Sequence, residues 1–220
     1  MVAKIGAKAP DLQISTWVQG KSTNIDKEKG NVVLVEVFQV NCPGCFLQGI
    51  PEAIDIYNKY KDKGLTVLAV ATAFEDFDKN NLENLQKLVT TGEVIGETYR
   101  ALAQYGKLRD NNKLPYKIPF SVGMDILKKE GGILTDGKIM DFIEANIPDF
   151  RSYKEKERQV LIQRVRHYLS SKEYSARTFE EYGLRGTPSS IIVDRKGILR
   201  STLFGSNAFL GSAVEELIRE

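Results

Sequence analysis

The sequence predicts an α/β protein with a mixed central sheet flanked by helices, and two observations carry this prediction. Val32 to Phe38 is a nearly continuous run of β-branched and apolar residues, typical of a strand buried on both faces. A helical pattern and a second apolar run, Thr66 to Thr72, follow it, and such a unit implies parallel strands. Near the C-terminus, Ser189 to Val193 and Ile198 to Phe204 flank a short turn and indicate an antiparallel hairpin.

The elements between these strands follow from apolar spacing. A helix is expected from about Pro43 to Lys63, because apolar residues recur there every three or four positions, and Pro51 within it predicts a kink. Two further helical patterns are expected at about 79–89 and 97–108. The third strand is predicted at 118–124.

Residues 126–175 differ from the rest of the chain. They begin with a polar, glycine-rich stretch and continue into a charged helix expected at 151–169. We predict a largely helical insertion within a single domain that spans residues 1–220. After the hairpin, a final helix is expected at 208–218.

Composition excludes several classes of protein. Of the 220 residues, 42% are hydrophobic and 27% are charged, as in soluble globular proteins. Basic and acidic residues, 31 and 29, leave a net charge of +2 without a basic run, so we expect neither a nucleic-acid nor a membrane partner. The longest apolar stretch, Leu65 to Phe74, is too short to span a bilayer. The N-terminus lacks the apolar core of a secretory signal, so we expect a cytoplasmic protein.

The two cysteines lie at the predicted start of the first helix. Pro43 would occupy the first helical position, where its missing N–H costs nothing. The free N–H groups of that turn would stabilise the Cys42 thiolate and lower its pKa below about 8.5. Cys45 follows one turn later, at a spacing that suits a disulfide. Cys42 can therefore attack a partner's disulfide, and Cys45 can resolve the mixed disulfide.

A zinc site is the alternative use of this cysteine pair. Zinc requires four ligands, and Cys42 and Cys45 can be joined only by the single histidine, His167. That residue lies in the charged helix, where we expect a surface or packing role. We therefore expect a redox function, with no metal and no cofactor besides the Cys42–Cys45 couple.

Two segments resemble signatures of thioredoxin-fold proteins. Residues 34–45 read LVEVFQVNCPGC and resemble the active-site strand and turn, and residues 185–194 read RGTPSSIIVD and resemble the second signature. The turn of the C-terminal hairpin and the N-terminal segment 9–12 are similar to those of the TlpA/ResA-type branch, which is related to AhpC/TSA proteins. The chain is thus identified as a member of the thioredoxin-fold superfamily, with an N-terminal extension. The resemblance covers about residues 5–125 and 176–219.

The resemblance implies a substrate-binding surface opposite the cysteines. Thr187–Pro188 would form a cis peptide bond, which costs only about 0.5–1 kcal/mol before proline. It would expose the Thr187 backbone to a bound partner strand and keep metal ions away from the thiols. Pro43 and Gly44, between the cysteines, would complete this surface and help to set the reduction potential.

The resemblance also implies a proton acceptor. Glu36 stands six residues before Cys42, where thioredoxin has its buried acid. Burial in the strand should raise the pKa of Glu36. The carboxylate would then be suited to take the proton of Cys45 through a water molecule.

Three positions depart from the thioredoxin pattern. Asn41 precedes Cys42 where tryptophan is common, and the strand predicted at 66–72 has no lysine to pair with Glu36. Pro43-Gly44 also reverses the usual Gly-Pro order. Motifs of this kind span reduction potentials of about −270 to −120 mV, so the direction of electron flow stays open.

Two alternatives to an oxidoreductase of protein disulfides remain. The first is a peroxiredoxin-like peroxidase with antioxidant activity, in which Cys42 attacks a hydroperoxide. Such enzymes carry P-x-x-x-T-x-x-C, and here Val35 and Gln39 occupy the proline and threonine positions. The second is a non-enzymatic interaction module whose interface is the insertion at 126–175.

The leading hypothesis has specific implications for partners. Protein disulfides would be the substrates, and a thioredoxin reductase or a small thiol would donate the electrons. The insertion could select substrates by covering one side of the Cys42 cleft. Exposed edge strands and apolar residues in the insertion would permit a homodimer.

Overall fold

A six-stranded mixed sheet forms the centre of the fold. The computed structural model describes residues 2–131, 134–147, 149–205 and 209–220. The strand order in the sheet is β1-β4-β3-β2-β7-β8. The six strands are β1 (Ile14–Gln19), β2 (Val32–Phe38), β3 (Leu65–Ala71), β4 (Ser121–Asp125), β7 (Ser189–Val193) and β8 (Leu199–Phe204). Two short strands, β5 (Leu127–Lys129) and β6 (Tyr174–Ala176), pair separately.

The central strands confirm the predicted mixed sheet. β2 pairs parallel with β3 and antiparallel with β7, and β7 and β8 form the predicted hairpin. In the β2–β7 pair, Glu36 is the register partner of Ser190. All seven residues of β2 are buried, as its continuous apolar run predicts.

Five α-helices lie in the described residues outside 128–175. They are α1 (Ile50–Tyr60), α2 (Leu82–Thr91), α3 (Gly96–Gln104), α6 (Arg177–Glu181) and α7 (Leu210–Arg219). Helical conformation begins at Pro43, and a π-helical turn, Cys45–Gly49, leads into α1. This turn ends two residues before Pro51, where the sequence predicts a kink, and π turns are a common cause of helix distortion. No helix in the described ranges is long and apolar enough to cross a membrane.

Some predicted boundaries are wrong, for identifiable reasons. The third strand begins at Ser121 rather than at 118, because the carbonyl groups of Ile118 and Phe120 accept hydrogen bonds from the Gln19 side chain. α2 begins three residues later than predicted, where Asn81 caps it by accepting from the backbone N–H of Asn84 at 3.0 Å. The predicted start of the last helix, 208, lies outside the described residues.

β1 is not predicted from the sequence. This edge strand pairs antiparallel with β4, but its register shifts between Ile14 and Thr16 and again between Trp17 and Gln19. Such irregularities break the alternation of apolar and polar residues by which strands are recognised.

The two faces of β2 pack into different cores. Leu34 and Phe38 face the α1 side, in a cluster that includes both cysteines and Ile50. Val33, Val35 and Val37 point to the opposite face, where the N-terminal segment and Tyr182 cover them. Because side chains alternate along a strand, Glu36 lies on the α1 side with Leu34 and Phe38.

Residues 128–175 form a second compact unit, apart from 1–127 and 176–220. The unit contains α4 (Asp136–Asn146) and α5 (Glu155–Ser171), so the predicted insertion is largely helical. α5 begins at Glu155 rather than at 151, after a 3₁₀ turn at Phe150–Ser152. α4 is not predicted from the sequence. Apolar residues from both helices and the turn form the core of the unit: Ile139, Ile143, Phe150 and Val165.

Candidate active site

Cys42 and Cys45 are joined by a disulfide at the point where β2 leads into the first helix. Their Cα atoms are 5.4 Å apart, within the range that the spacing predicts. Cys45 begins the π-helical turn, whereas Cys42 lies just before the first helical residue, Pro43. The helix start therefore holds both sulfurs at the C-terminal end of the central strand.

The two sulfurs differ in exposure and in their partners. Cys42 is 9% exposed and Cys45 is fully buried. The backbone N–H of Cys45 donates to Cys42 Sγ at 3.3 Å. In the reduced state this N–H and the positive end of the helix would stabilise a Cys42 thiolate. The geometry thus favours Cys42 as the sulfur that meets a partner.

The Thr187–Pro188 segment directly precedes β7 and faces the cysteine turn. Its peptide bond is cis. Cys42 Sγ lies 3.5 Å from the Thr187 carbonyl oxygen, and Pro188 Cδ would lie 3.6 Å from a Cβ added at Gly44. Pro188 is buried, whereas Thr187 is partly exposed. The structure thus brings together the cysteines, Gly44 and the two residues of the second signature.

Glu36 is buried beneath this turn. It is 1% exposed, and the Ser190 hydroxyl group donates to its Oε2 at 2.7 Å. Burial raises the pKa of Glu36 to about 8, while the hydrogen bond from Ser190 acts to lower it and the charge of Glu52 acts to raise it. The prediction that burial raises the pKa of Glu36 is confirmed.

Gly49 provides the space for the Glu36 carboxyl group. A Cβ added at Gly49 would overlap Glu36 Oε1 and would lie 2.7 Å from Pro188 Cβ. Gly49 ends the π-helical turn that Cys45 begins, and the Ile50 N–H donates to the Cys45 carbonyl across that turn. The carboxyl group of Glu36 therefore packs directly against the turn that carries Cys45.

Asn41 fixes the turn on its N-terminal side. Its Oδ1 accepts from the backbone N–H of Glu97 at 2.7 Å, and its Nδ2 donates to Asp76 Oδ2 at 2.7 Å. Its backbone N–H donates to Asn80 Oδ1 at 2.8 Å. The residue that departs from the thioredoxin pattern therefore joins the cysteine turn to the loop before α2 and to the start of α3.

The described residues offer no cluster for a metal ion. Within those ranges, no group of three or more His, Cys, Asp or Glu side chains could hold one. His167 is exposed on α5, in the second unit, as the sequence analysis expects for a surface residue.

Two residues of this region, Ser190 and Phe204, are not predicted from the sequence as functional candidates. Ser190 contacts Glu36 only because β2 and β7 pair in this register, over a separation of 154 positions. Phe204 ends β8, 60% exposed, with its ring over Gly186 next to Thr187. Ser190 lies within the second signature segment, but its contact with Glu36 and the position of Phe204 beside Gly186 follow only from strand pairing.

Comparison with known proteins agrees with this architecture. The family model described as Redoxin matches residues 4–113. DipZ proteins of Mycobacterium bovis and Mycobacterium tuberculosis are 35% identical over 75 residues, which is 32% of this chain and 11% of the length of DipZ. The chain thus matches only about a tenth of the length of these curated relatives.

Solved structures show the same fold over nearly the whole chain. A thioredoxin-like superfamily protein has a TM-score of 0.59 and 24% identity and covers 97% of both chains. A thiol-disulfide isomerase from Corynebacterium glutamicum has a TM-score of 0.58 and 24% identity, over 98% of this chain and 97% of that one. The predicted thioredoxin-like fold is confirmed, whereas the TlpA/ResA-type branch stays a prediction.

These findings support thiol–disulfide oxidoreductase function. A matching model over half of the chain, a thioredoxin-like sheet and a disulfide-bonded C-x-x-C at the start of a helix agree with one another. The chain belongs to the redoxin family.

Proposed function

We propose that this protein reduces disulfides in partner proteins, with Cys42 as the attacking sulfur and Cys45 as the resolving sulfur. The observation that carries the proposal is the asymmetry of the pair. Cys42 is the more exposed sulfur and accepts a backbone hydrogen bond, whereas Cys45 is fully buried. A buried second thiol is reached by the mixed disulfide on Cys42 and not by a partner in solution.

The proposed reaction runs from the dithiol form. The Cys42 thiolate attacks one sulfur of the partner's disulfide, and the other partner sulfur leaves as a thiolate that takes up a proton. The Cys45 thiol then gives up its proton, and its thiolate attacks Cys42 Sγ. The Cys42–Cys45 disulfide forms, and the second partner sulfur leaves. The partner gains two electrons and two protons, and the cysteine pair supplies the electrons.

Glu36 is the proposed acceptor of the Cys45 proton. Its carboxyl group packs against the turn that begins with Cys45, and its raised pKa of about 8 suits a base that works near neutral pH. The charge of Glu52, on α1, would further favour the neutral form of Glu36 between turnovers.

The partner would dock beside the Thr187–Pro188 segment. The Thr187 backbone lies next to Cys42 Sγ, where an extended segment of the partner could pair with it. Pro43 and Gly44, which separate the two cysteines, would line the other side of the sulfur. The exposed ring of Phe204, over Gly186, offers an apolar contact for the same segment. The proposed substrate is therefore an extended, disulfide-bearing polypeptide with an apolar side chain near its cysteine.

The cellular setting is also a proposal. A thioredoxin reductase or a small thiol would return the Cys42–Cys45 disulfide to the dithiol. The cytoplasm would keep it reduced. A homodimer stays a prediction from the sequence.

The decisive test is to trap the intermediate with Cys45→Ser. An oxidoreductase with this variant should accumulate mixed disulfides between Cys42 and partner proteins, which non-reducing electrophoresis and mass spectrometry detect. Cys42→Ser is the matched control and should trap none. If Cys45→Ser instead accumulates sulfenic acid at Cys42 after peroxide treatment and forms no mixed disulfides, the protein is a peroxidase.

The reduction potential of the Cys42–Cys45 couple then decides the direction of electron transfer. Equilibration with glutathione, followed by thiol counting, should give a value near that of thioredoxin, about −270 mV. A value above about −200 mV would contradict a reductant and indicate an oxidant or isomerase.

A further inference from the structure

Ser190 and Glu36 face each other in the interior of the sheet. They are register partners in the antiparallel β2–β7 pair, and both are buried. The Ser190 hydroxyl group donates to Glu36 Oε2 at 2.7 Å. The register partner of Glu36 on β3 is Ala69, which supplies neither charge nor hydrogen bond. Ser190 is thus the polar side chain that the described structure places on this carboxyl group.

The second oxygen of Glu36 has a different environment. Oε1 packs against Gly49, in the π-helical turn that Cys45 begins, and Pro188 packs against the same glycine. The two oxygens are therefore distinguished by their surroundings. Oε2 is held by β7, and Oε1 faces the helix that carries the resolving cysteine.

The charged groups around Glu36 come from the helix side. Glu52 on α1 acts on Glu36 through its charge, and Asp55 acts on Glu52 in turn. Cys45 is the thiol of the facing turn. Burial and the charge of Glu52 oppose ionisation of Glu36, whereas the hydrogen bond from Ser190 on the sheet side favours the carboxylate.

We propose that Ser190 is a positioning residue for proton transfer from Cys45. By holding Oε2, its hydroxyl group directs Oε1 toward the turn of Cys45 and stabilises the ionised form of Glu36. This inference rests on the proposed function of Glu36 as proton acceptor.

Loss of the hydroxyl group has a predictable direction. A hydrogen bond to a carboxylate favours the charged form, so its removal should raise the pKa of Glu36 above its value of about 8. Hydrogen bonds to charged groups are strong enough to shift a pKa by roughly one unit or more. At pH 7 a shift of one unit leaves about one tenth of the carboxylate, so resolution should slow about tenfold.

The experiment follows the resolution step with the chromogenic disulfide DTNB. Attack by Cys42 on DTNB releases one thionitrobenzoate, and resolution by Cys45 releases the second, so a stopped-flow trace separates the two steps. The second rate is recorded between pH 6 and pH 10 for the wild type, Ser190→Ala and Glu36→Gln. Ser190→Ala should move the midpoint of the pH profile of the second step to higher pH. The rate of the first step should stay near that of the wild type.

Two further variants separate positioning from simple stability. Ser190→Thr retains a hydroxyl group and should keep the pH midpoint close to that of the wild type. Ser190→Val introduces a side chain of nearly the same shape as threonine but without the hydroxyl group, and it should shift the midpoint as Ser190→Ala does. This pair keeps the test valid if Ser190→Ala does not fold. Thr72→Val is the matched control, because Thr72 is equally buried and donates to another carboxylate, Asp125 Oδ2, at 2.9 Å. It should destabilise the fold without moving the midpoint.

The outcomes distinguish this inference from the proposed function. A wild-type midpoint in Ser190→Ala and Ser190→Val, together with an altered profile in Glu36→Gln, overturns the role of Ser190 alone. A wild-type profile in Glu36→Gln instead removes Glu36 as the proton acceptor. A shift in Thr72→Val equal to that of Ser190→Ala would show a general effect of lost stability and would also contradict the inference.

Discussion

Asn41 Oδ1 accepts a hydrogen bond from the backbone N–H of Glu97 at 2.7 Å, so the residue before Cys42 caps a helix that begins far along the chain. The residue at the N-cap position of α3, Ile95, makes no side-chain cap of its own. Gly96 permits the approach, because a Cβ there would overlap Asn41 Oδ1 and the residue has a φ of +56°. The cysteine turn is thereby joined to an element outside the β2–α1 unit.

Asn41→Ala should destabilise the protein by about 2 kcal/mol, because the Glu97 N–H loses its acceptor and Asp76 loses a donor. Chemical denaturation of the oxidised protein measures the loss. Asn58→Ala, on the exposed face of α1, is the control and should change stability by less than about 0.5 kcal/mol. Equal stability of the two variants would show that the Asn41 contacts contribute nothing net.

Gly49→Ala should be more damaging than a glycine substitution in a helix normally is. The added Cβ would meet Glu36 Oε1 and, at 2.7 Å, Pro188 Cβ, and overpacking of this kind costs about 1–3 kcal/mol. Because both neighbours belong to the site, resolution of the mixed disulfide should slow as well.

Gly211→Ala provides the matched control for this prediction. Gly211 lies in α7, and a Cβ there would meet nothing within 4 Å. This variant should gain about 0.5–1 kcal/mol, since alanine is the better helix former. If thermal unfolding shows both variants equally stabilised, the turn at Gly49 is looser than the contacts imply.

Parts of this site are predictable from sequence because they are local. The apolar run of β2 predicts its own burial, and with it the burial of Glu36. The position of Cys42 before Pro43 predicts the helix start. The contact of Ser190 with Glu36 is not predictable in this way, because it depends on a strand register set by residues 154 positions apart.

Two elements, β1 and α4, are not predicted from the sequence for a different reason. The two register shifts of β1 remove its alternating pattern. α4 lies in a stretch where the polar, glycine-rich start obscures the helix, although Thr135 caps it by accepting from the Lys138 N–H at 3.3 Å. In both cases the element depends on packing partners from its own unit, which single-sequence patterns do not show.

Glu36 should also make stability depend on pH. Its folded-state pKa of about 8 lies above the usual 4.5, so the folded state retains a proton that the unfolded chain releases between these values. Stability contributed by the neutral group is complete below about pH 4.5 and is lost as the pH rises to about 8. The full loss is on the order of 5 kcal/mol.

Glu36→Gln removes this titration and should become progressively more stable than the wild type as the pH rises through that window. Urea unfolding at several pH values measures the difference. Glu83→Gln, on the exposed side of α2, is the control and should follow the wild-type curve. A constant difference between Glu36→Gln and the wild type at all pH values would mean that Glu36 titrates alike in both states.

Replacement of residues 128–175 by a short glycine–serine turn should leave a folded oxidoreductase. The ends of this unit are close, since the Arg177 N–H donates to the Ile126 carbonyl at 3.0 Å. The Asp125 carboxylate also accepts from the backbone N–H groups of Thr178 and Phe179, at 2.8 and 3.2 Å. The returning chain is therefore fixed by contacts that the deletion retains.

The same deletion tests whether the insertion selects substrates. The small disulfide DTNB should be reduced at close to the wild-type rate, because every site residue lies outside 128–175. Rates toward protein disulfides should change if the insertion discriminates among them, and Cys42→Ser in the shortened chain gives the background. A shortened protein that reduces DTNB and several protein disulfides all at wild-type rates would leave the insertion without a role in specificity, since loss of a selecting surface must alter at least one rate.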